Sequence, residues 1–128
     1  MTKQIVRPEG MLISPAYSHA VVKTGTPVFI AGQVALDGDG KLVGEDDAGL
    51  QAAQALENLG TVVAACGGTV DDIVKLTVFT TDLSFRRAIG QARAKFFTEG
   101  ELPASTFLVV SSLAEPRFLV EIEAVAMI

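Results

Sequence analysis

The sequence predicts an α+β fold in which two helices pack on one face of a mixed sheet. Three observations predict it. Two stretches, 48–66 and 85–96, carry apolar residues at helical spacing. Short runs rich in β-branched residues stand before, between and after them. The segment from Phe118 to Ala124 alternates: Phe118, Val120, Ile122 and Ala124 fall on one face, Leu119, Glu121 and Glu123 on the other. With 128 residues, 49% of them apolar, the chain is long enough for one domain with a real core, and residues 1–128 read as that single domain.

The elements follow in order. Ala20 to Lys23 is a strand running into the turn Gly25-Thr26-Pro27, and Val28-Phe29-Ile30-Ala31 is a buried strand stopped by Gly32. Asp37-Gly38-Asp39-Gly40 signals a hairpin or loop. In the first helix, Leu56, Leu59, Val63 and Cys66 share a face. Asp46 and Asp47 lie where the dipole favours anions, and Gly67-Gly68 ends the helix. Thr69 caps a short turn through Asp72, and Ile73 to Thr80 is a strand. Ser84 is expected to cap the second helix, whose apolar face is Phe85, Ala88, Ile89, Ala92 and Phe96. Pro103 cannot donate a ladder hydrogen bond, so it marks a strand start.

The order is ββ, then β-α-β-α-ββ. Helices on one face leave the other face of the sheet without a cover inside one chain. Phe107 and Val109 are expected on that open face beside Glu121 and Glu123, to be buried by symmetric assembly. The mean hydropathy of +0.42 is high for a small soluble monomer and agrees with such assembly.

Bulk properties exclude several classes. The net charge is −5 with no run of Lys or Arg, which argues against a nucleic-acid partner. With no Trp and one Tyr there is no platform for stacking bases. No apolar stretch nears the roughly 20 residues that span a bilayer, so no membrane partner is expected. The segment Met1-Thr2-Lys3-Gln4-Ile5 lacks the apolar core of a signal peptide. One cysteine, Cys66, precludes an internal disulfide and fits a reducing cytoplasm.

Seven segments in order resemble a known family: Pro15-Ala16-Tyr17-Ser18, Ala31-Gly32-Gln33-Val34, Asn58-Leu59, Val74-Lys75-Leu76-Thr77-Val78-Phe79, Phe96-Phe97, Pro103-Ala104 and Val120-Glu121-Ile122-Glu123-Ala124. The family is the reactive-intermediate deaminases, RidA or YjgF, once labelled endoribonuclease L-PSP. The resemblance covers nearly the whole chain. It implies a chorismate mutase-like fold and a homotrimer whose sheets form a central barrel, with ligand clefts between subunits. It also implies hydrolysis of enamine and imine intermediates, such as 2-iminobutanoate, to keto acids and ammonia, with no metal or organic cofactor. A small-molecule ligand is then the expected partner. The ribonuclease label sits badly with the acidic balance and the absence of a basic stripe.

The chain departs from the family's active pattern where it matters most. Active members have Arg directly after Pro-Ala, gripping a substrate carboxylate through a bidentate fork; Ser105 stands there. Phe107 replaces a small residue two positions on, Gly90 matches the position of a helical Asn, and Ala31 replaces the Ser of Ser-Gly-Gln. Tyr17, Gly32 and Glu121 match. Weak or absent turnover of 2-imino acids is therefore expected.

Each candidate has a second reading. Glu121 matches the water-positioning carboxylate and could act as general base or acid, or could partner an Arg or backbone group at an interface. Glu123 reads as structural. Tyr17 lines the ligand site by resemblance and would otherwise be interface packing. His19 has no nucleophile to pair with and reads as surface or interface. Ser105 donates to a neutral ligand group or is a tolerated small strand residue. Phe107 narrows the pocket or packs the trimer. Gly32 lets a backbone N–H approach a ligand or turns the chain. Cys66 is expected to be buried and inert. Arg86, Arg87, Arg93 and Lys95 read as a solvated helix face. Two function classes follow: a RidA-like hydrolase or deaminase with Glu121 catalytic and Tyr17, Gly32, Ser105 and Phe107 binding substrate, or a non-catalytic small-molecule-binding or sensor trimer.

Overall fold

A computed structural model describes residues 3–98 and 101–128. The chain runs β1 (Gln4–Val6), β2 (Ala20–Val22), β3 (Pro27–Gln33), α1 (Ala48–Ala65), β4 (Ile73–Thr80), α2 (Arg86–Phe96), β5 (Ala104–Val109) and β6 (Val120–Met127). This is the expected order, with a first strand, Gln4–Val6, that no sequence signal singled out. β1 and β2 form their own antiparallel ladder. The other four strands form one sheet in the order β3-β6-β4-β5. Only β4 and β5 are parallel, which makes the sheet mixed, and α2 supplies the crossover that a parallel pair requires.

The predicted alternation of the last strand decides the architecture. Val120, Ile122, Ala124 and Ala126 are buried under the helices, with Leu76 and Val78 of β4 beside them. Helix α1 closes this layer with Ala52, Ala55, Leu56, Leu59 and Val63, and α2 adds Ile89. Both helices therefore lie on one face, as predicted. The opposite face carries Phe29, Phe79, Glu121, Glu123 and Val125. Phe29 pairs with Val125, Phe79 with Glu121 and Thr77 with Glu123 across the ladders.

Local chemistry sets the helix ends. Asp47 caps α1, its Oδ1 accepting from Leu50 N at 3.0 Å. At the other end Gly67, at φ +90°, takes the left-handed conformation. Its N–H donates to Ala64 O, and Gly68 N–H donates to Val63 O, so two orphan carbonyls are satisfied. Cys66 sits past the last periodic position as the capping residue and is exposed, which corrects its expected burial. The entry to α2 also differs from expectation. Asp82, not Ser84, makes the capping bond: Asp82 Oδ1 accepts from Ser84 N at 2.8 Å and opens a 3-10 turn over Leu83–Phe85 that runs into the helix. The capping bond thus falls on the N–H of Ser84 itself, ahead of the donors that the serine hydroxyl was expected to take.

Candidate functional site

Strand β5 and helix α2 form a cleft of about 810 Å³ together with the loop 14–17. Register with β4 fixes what β5 offers it. Ser105 lies beside Leu76 and Phe107 beside Val78, both buried on the helix side. Neighbours in register share a face, so Ser105 and Phe107 point toward α2. The expectation that Phe107 and Val109 share the helix-free face with Glu121 is thereby corrected. The face of β5 is dictated by its register on β4, which its own letters do not encode.

Tyr17 enters the cleft from the loop. Its ring meets that of His19 edge to face, with centroids 5.5 Å apart and planes at 85°. His19 is held in turn: Nε2–H donates to Leu12 O at 2.6 Å. The next residue anchors the loop to the start of β5. Ser18 Oγ–H donates to Leu102 O at 2.6 Å and Ser18 N–H to Pro103 O at 3.1 Å. Tyr17 is thus positioned by Ser18, which ties the loop to β5, and by His19, which packs against its ring.

Helix α2 contributes the charge. Arg93 Nη1–H donates to Ser105 Oγ at 3.0 Å. The Arg86 guanidinium lies 5.7 Å from the centre of the Phe107 ring. Arg87 also borders the cleft, and among the described residues no Asp or Glu does. Burial first, and then the charge of Arg86, push the Arg93 guanidinium below its ordinary pKa. The ion pairs among the described residues are Lys3–Asp71, Arg7–Glu101, Lys23–Asp72 and Arg117–Glu115, and none involves these arginines. The reading of α2's basic residues as a solvated face holds for the exposed Arg86, Arg87 and Lys95 and fails for Arg93, which is half-buried against β5. The spacing held a signal for this. Residues 86, 89, 90 and 93 fall at i, i+3, i+4 and i+7, which puts both arginines on the side of buried Ile89.

Gly32 and Glu121 meet elsewhere, at the junction of β3 and β6. A Cβ on residue 32 would stand 2.0 Å from Glu121 Oε2 and 2.9 Å from its Cγ. Only glycine admits the Glu121 side chain there. Glu121 is half-buried on the helix-free face. One chain therefore brings Tyr17, Ser105 and Phe107 together and keeps Gly32 and Glu121 together, with the sheet between the two groups. Among the described residues no cluster of three or more His, Cys, Asp or Glu is placed to hold a metal ion. Among the described residues no helix is long and apolar enough to cross a membrane.

Comparison with known proteins gives a consistent set. The model of the family described as endoribonuclease L-PSP matches residues 11–128. A RutC family protein of Pyrococcus horikoshii is 34% identical over 110 residues, covering 86% of this chain and 85% of its own. The crystal structure of YyfB from Yersinia pestis, a Rid family protein of unknown function, covers 100% of both chains at 35% identity with a TM-score of 0.94. The crystal structure of RidA from an Antarctic Psychrobacter superposes with a TM-score of 0.75 at 30% identity, covering 97% of this chain and 98% of that one.

Proposed function

Because the chain belongs to the endoribonuclease L-PSP family, also called the Rid or YjgF family, we propose that it is a small-molecule hydrolase of the deaminase type, acting on an imine, enamine or related carbonyl compound. The observation that carries this reading is the cleft between α2 and β5, lined by Tyr17, Ser105 and Phe107 and bordered by arginines, with no carboxylate at its border among the described residues. Such a cleft suits a small polar molecule with negative charge. It lacks a group that could activate water.

We place that group on a second copy of the chain. Glu121 lies on the helix-free face, where Phe29 is 79% exposed although it is a large apolar side chain. A cyclic trimer with these faces turned inward as a barrel would cover Phe29 and bring Glu121 and Gly32 of one subunit to the cleft of the next. Glu121 would then orient a water molecule and take its proton as the oxygen adds to the imine carbon. The C=N π pair of the protonated imine moves onto nitrogen to give a neutral carbinolamine, which collapses when the proton passes from Glu121 to that nitrogen: the C–N bond breaks, a C=O bond forms as the hydroxyl proton returns to Glu121, and ammonia leaves. Backbone N–H groups would steady the charge that develops on the way. No cofactor is required for this step.

The test is ammonia release by the assembled protein from a panel of imines generated in situ, with mono- and dicarboxylate members. An Arg-bearing relative serves as control. The expected result is release above the uncatalysed rate on at least one imine, weak on 2-iminobutanoate, and lost in Glu121→Gln while keto-acid binding persists. An intact trimer that hydrolyses no imine, or a Glu121→Gln variant with unchanged rate, overturns the assignment in favour of a binding-only trimer.

A further inference from the structure

We infer that Arg93 and Arg86 form a two-cation seat at the β5 side of the cleft, and that the seat selects a small substrate carrying two carboxylate groups over one carrying a single carboxylate. The inference deepens the proposed function and rests on the cleft being the substrate site. Three observations carry it.

First, the two guanidiniums converge on neighbouring residues of one strand. Arg93 donates to Ser105 Oγ at 3.0 Å, and Arg86 lies over Phe107 two positions along. With one Nη bonded to the serine hydroxyl, the remaining N–H groups of Arg93 have no partner among the described residues and are available to a carboxylate. Ser105 thereby acts as a positioning residue that fixes one edge of the fork, and the cation arrives from the helix.

Second, neither charge is answered. Neither arginine has an ion pair, and no Asp or Glu borders the cleft, among the described residues. The chain as a whole has 15 acidic and 10 basic residues, so an acid-free basic cleft runs against its composition. Each carboxylate of a ligand adds attraction, strong at half-buried Arg93 and weaker at exposed Arg86.

Third, the like charges repel each other. The charge of Arg86 works against that of Arg93, on top of the cost of burying Arg93. A single carboxylate relieves one of them. Two carboxylates on a short carbon chain relieve both, and the space of about 810 Å³ accommodates such a molecule.

The experiment is calorimetric titration of the full-length protein with 2-oxoglutarate and 2-oxobutanoate, two keto acids that differ by one carboxylate. Wild type is expected to bind 2-oxoglutarate at least about tenfold more tightly, the factor of one charge-assisted contact. Arg86→Gln is expected to bring the dicarboxylate down to the level of the monocarboxylate. Arg93→Gln is expected to weaken both by about tenfold or more, and Arg93→Lys to recover part of that loss, since it restores charge without the fork. Light scattering confirms the assembly of each variant, and Arg93→Lys and Arg86→Gln keep the test open if Arg93→Gln does not fold. Equal affinity for the two acids in wild type, or a preference that survives Arg86→Gln, overturns the inference. Charge-selective binding without ammonia release from any imine would leave the seat standing and remove the hydrolase. Imine turnover with no charge preference would do the reverse.

Discussion

Gly32 is the residue at which chemistry and packing are hardest to separate, and its neighbour shows how to separate them. A methyl group at position 32 would overlap the Glu121 carboxyl, with Oε2 at 2.0 Å and Cδ at 2.7 Å. The atoms in the way belong to the end of a flexible side chain. Glu121 can therefore swing aside at little cost to the fold, but it cannot stay where it is. Gly32→Ala is expected to change unfolding free energy by less than about 1 kcal/mol while lowering ammonia release at least about tenfold, because a displaced base no longer reaches its water. Paired urea melts and ammonia assays read the two effects separately. The same substitution made in Glu121→Gln should add nothing further, since both act through one carboxylate. Wild-type turnover by Gly32→Ala would remove Glu121 from the mechanism.

At the scale of elements, the tie between β2 and the turn before β4 is electrostatic. Asp72 Oδ2 accepts from Thr69 N at 2.7 Å, its Oδ1 is paired with Lys23 Nζ, and Lys3 bonds the neighbouring Asp71 at 2.8 Å. Burial works to raise the Asp72 pKa, but the bonds from Lys23 and Thr69 outweigh it and hold the group below 3.8. A carboxyl depressed in the folded state stabilises that state above its unfolded pKa, and the contribution is lost as pH falls through the folded value. Urea midpoints should therefore drop between about pH 5 and about pH 2, and Asp72→Asn should flatten that drop while lowering the midpoint at about pH 7. An unchanged profile in Asp72→Asn would show that the tie carries no stability. This turn was legible in the sequence, since Thr69 and Asp72 stand at capping-box spacing. So were α1, β4 and β6, whose periods are long and regular. What the letters withheld depends on partners. Gln4–Val6 is too short to signal alone and exists because Val22, Val21 and Ala20 pair with it. The side taken by Ser105 and Phe107 follows from register on β4. The side of α2 that Arg93 takes was legible from its spacing to Ile89, but the cleft it borders depends on β5 passing beside α2.

For the whole molecule, the question is what covers the sheet face that the helices leave bare. That face holds Phe29 at 79% exposure with Val125 paired to it, and it holds Glu121 as well. A large apolar side chain this exposed on a sheet marks a surface that association would bury, and the barrel trimer proposed above would bury it against like faces. Phe29→Asp places a carboxylate there. Inside an assembled barrel that charge would be taken out of water, whereas on a lone chain it would stay solvated. Light scattering is thus expected to give about three times the 13.4 kDa of one chain for wild type and a single-chain mass for Phe29→Asp, with circular dichroism unchanged. The functional consequence follows from the way the site is divided. A lone chain keeps Tyr17, Ser105, Phe107 and Arg93 on one side of its sheet and Glu121 on the other, so the monomer should release no ammonia even where it still takes up a keto acid. Two results would break this argument. A Phe29→Asp protein that remains trimeric would place the interface elsewhere. A monomer that turns over imines as wild type does would mean that one chain holds a complete site, and that the carboxylate on the helix-free face is not its base.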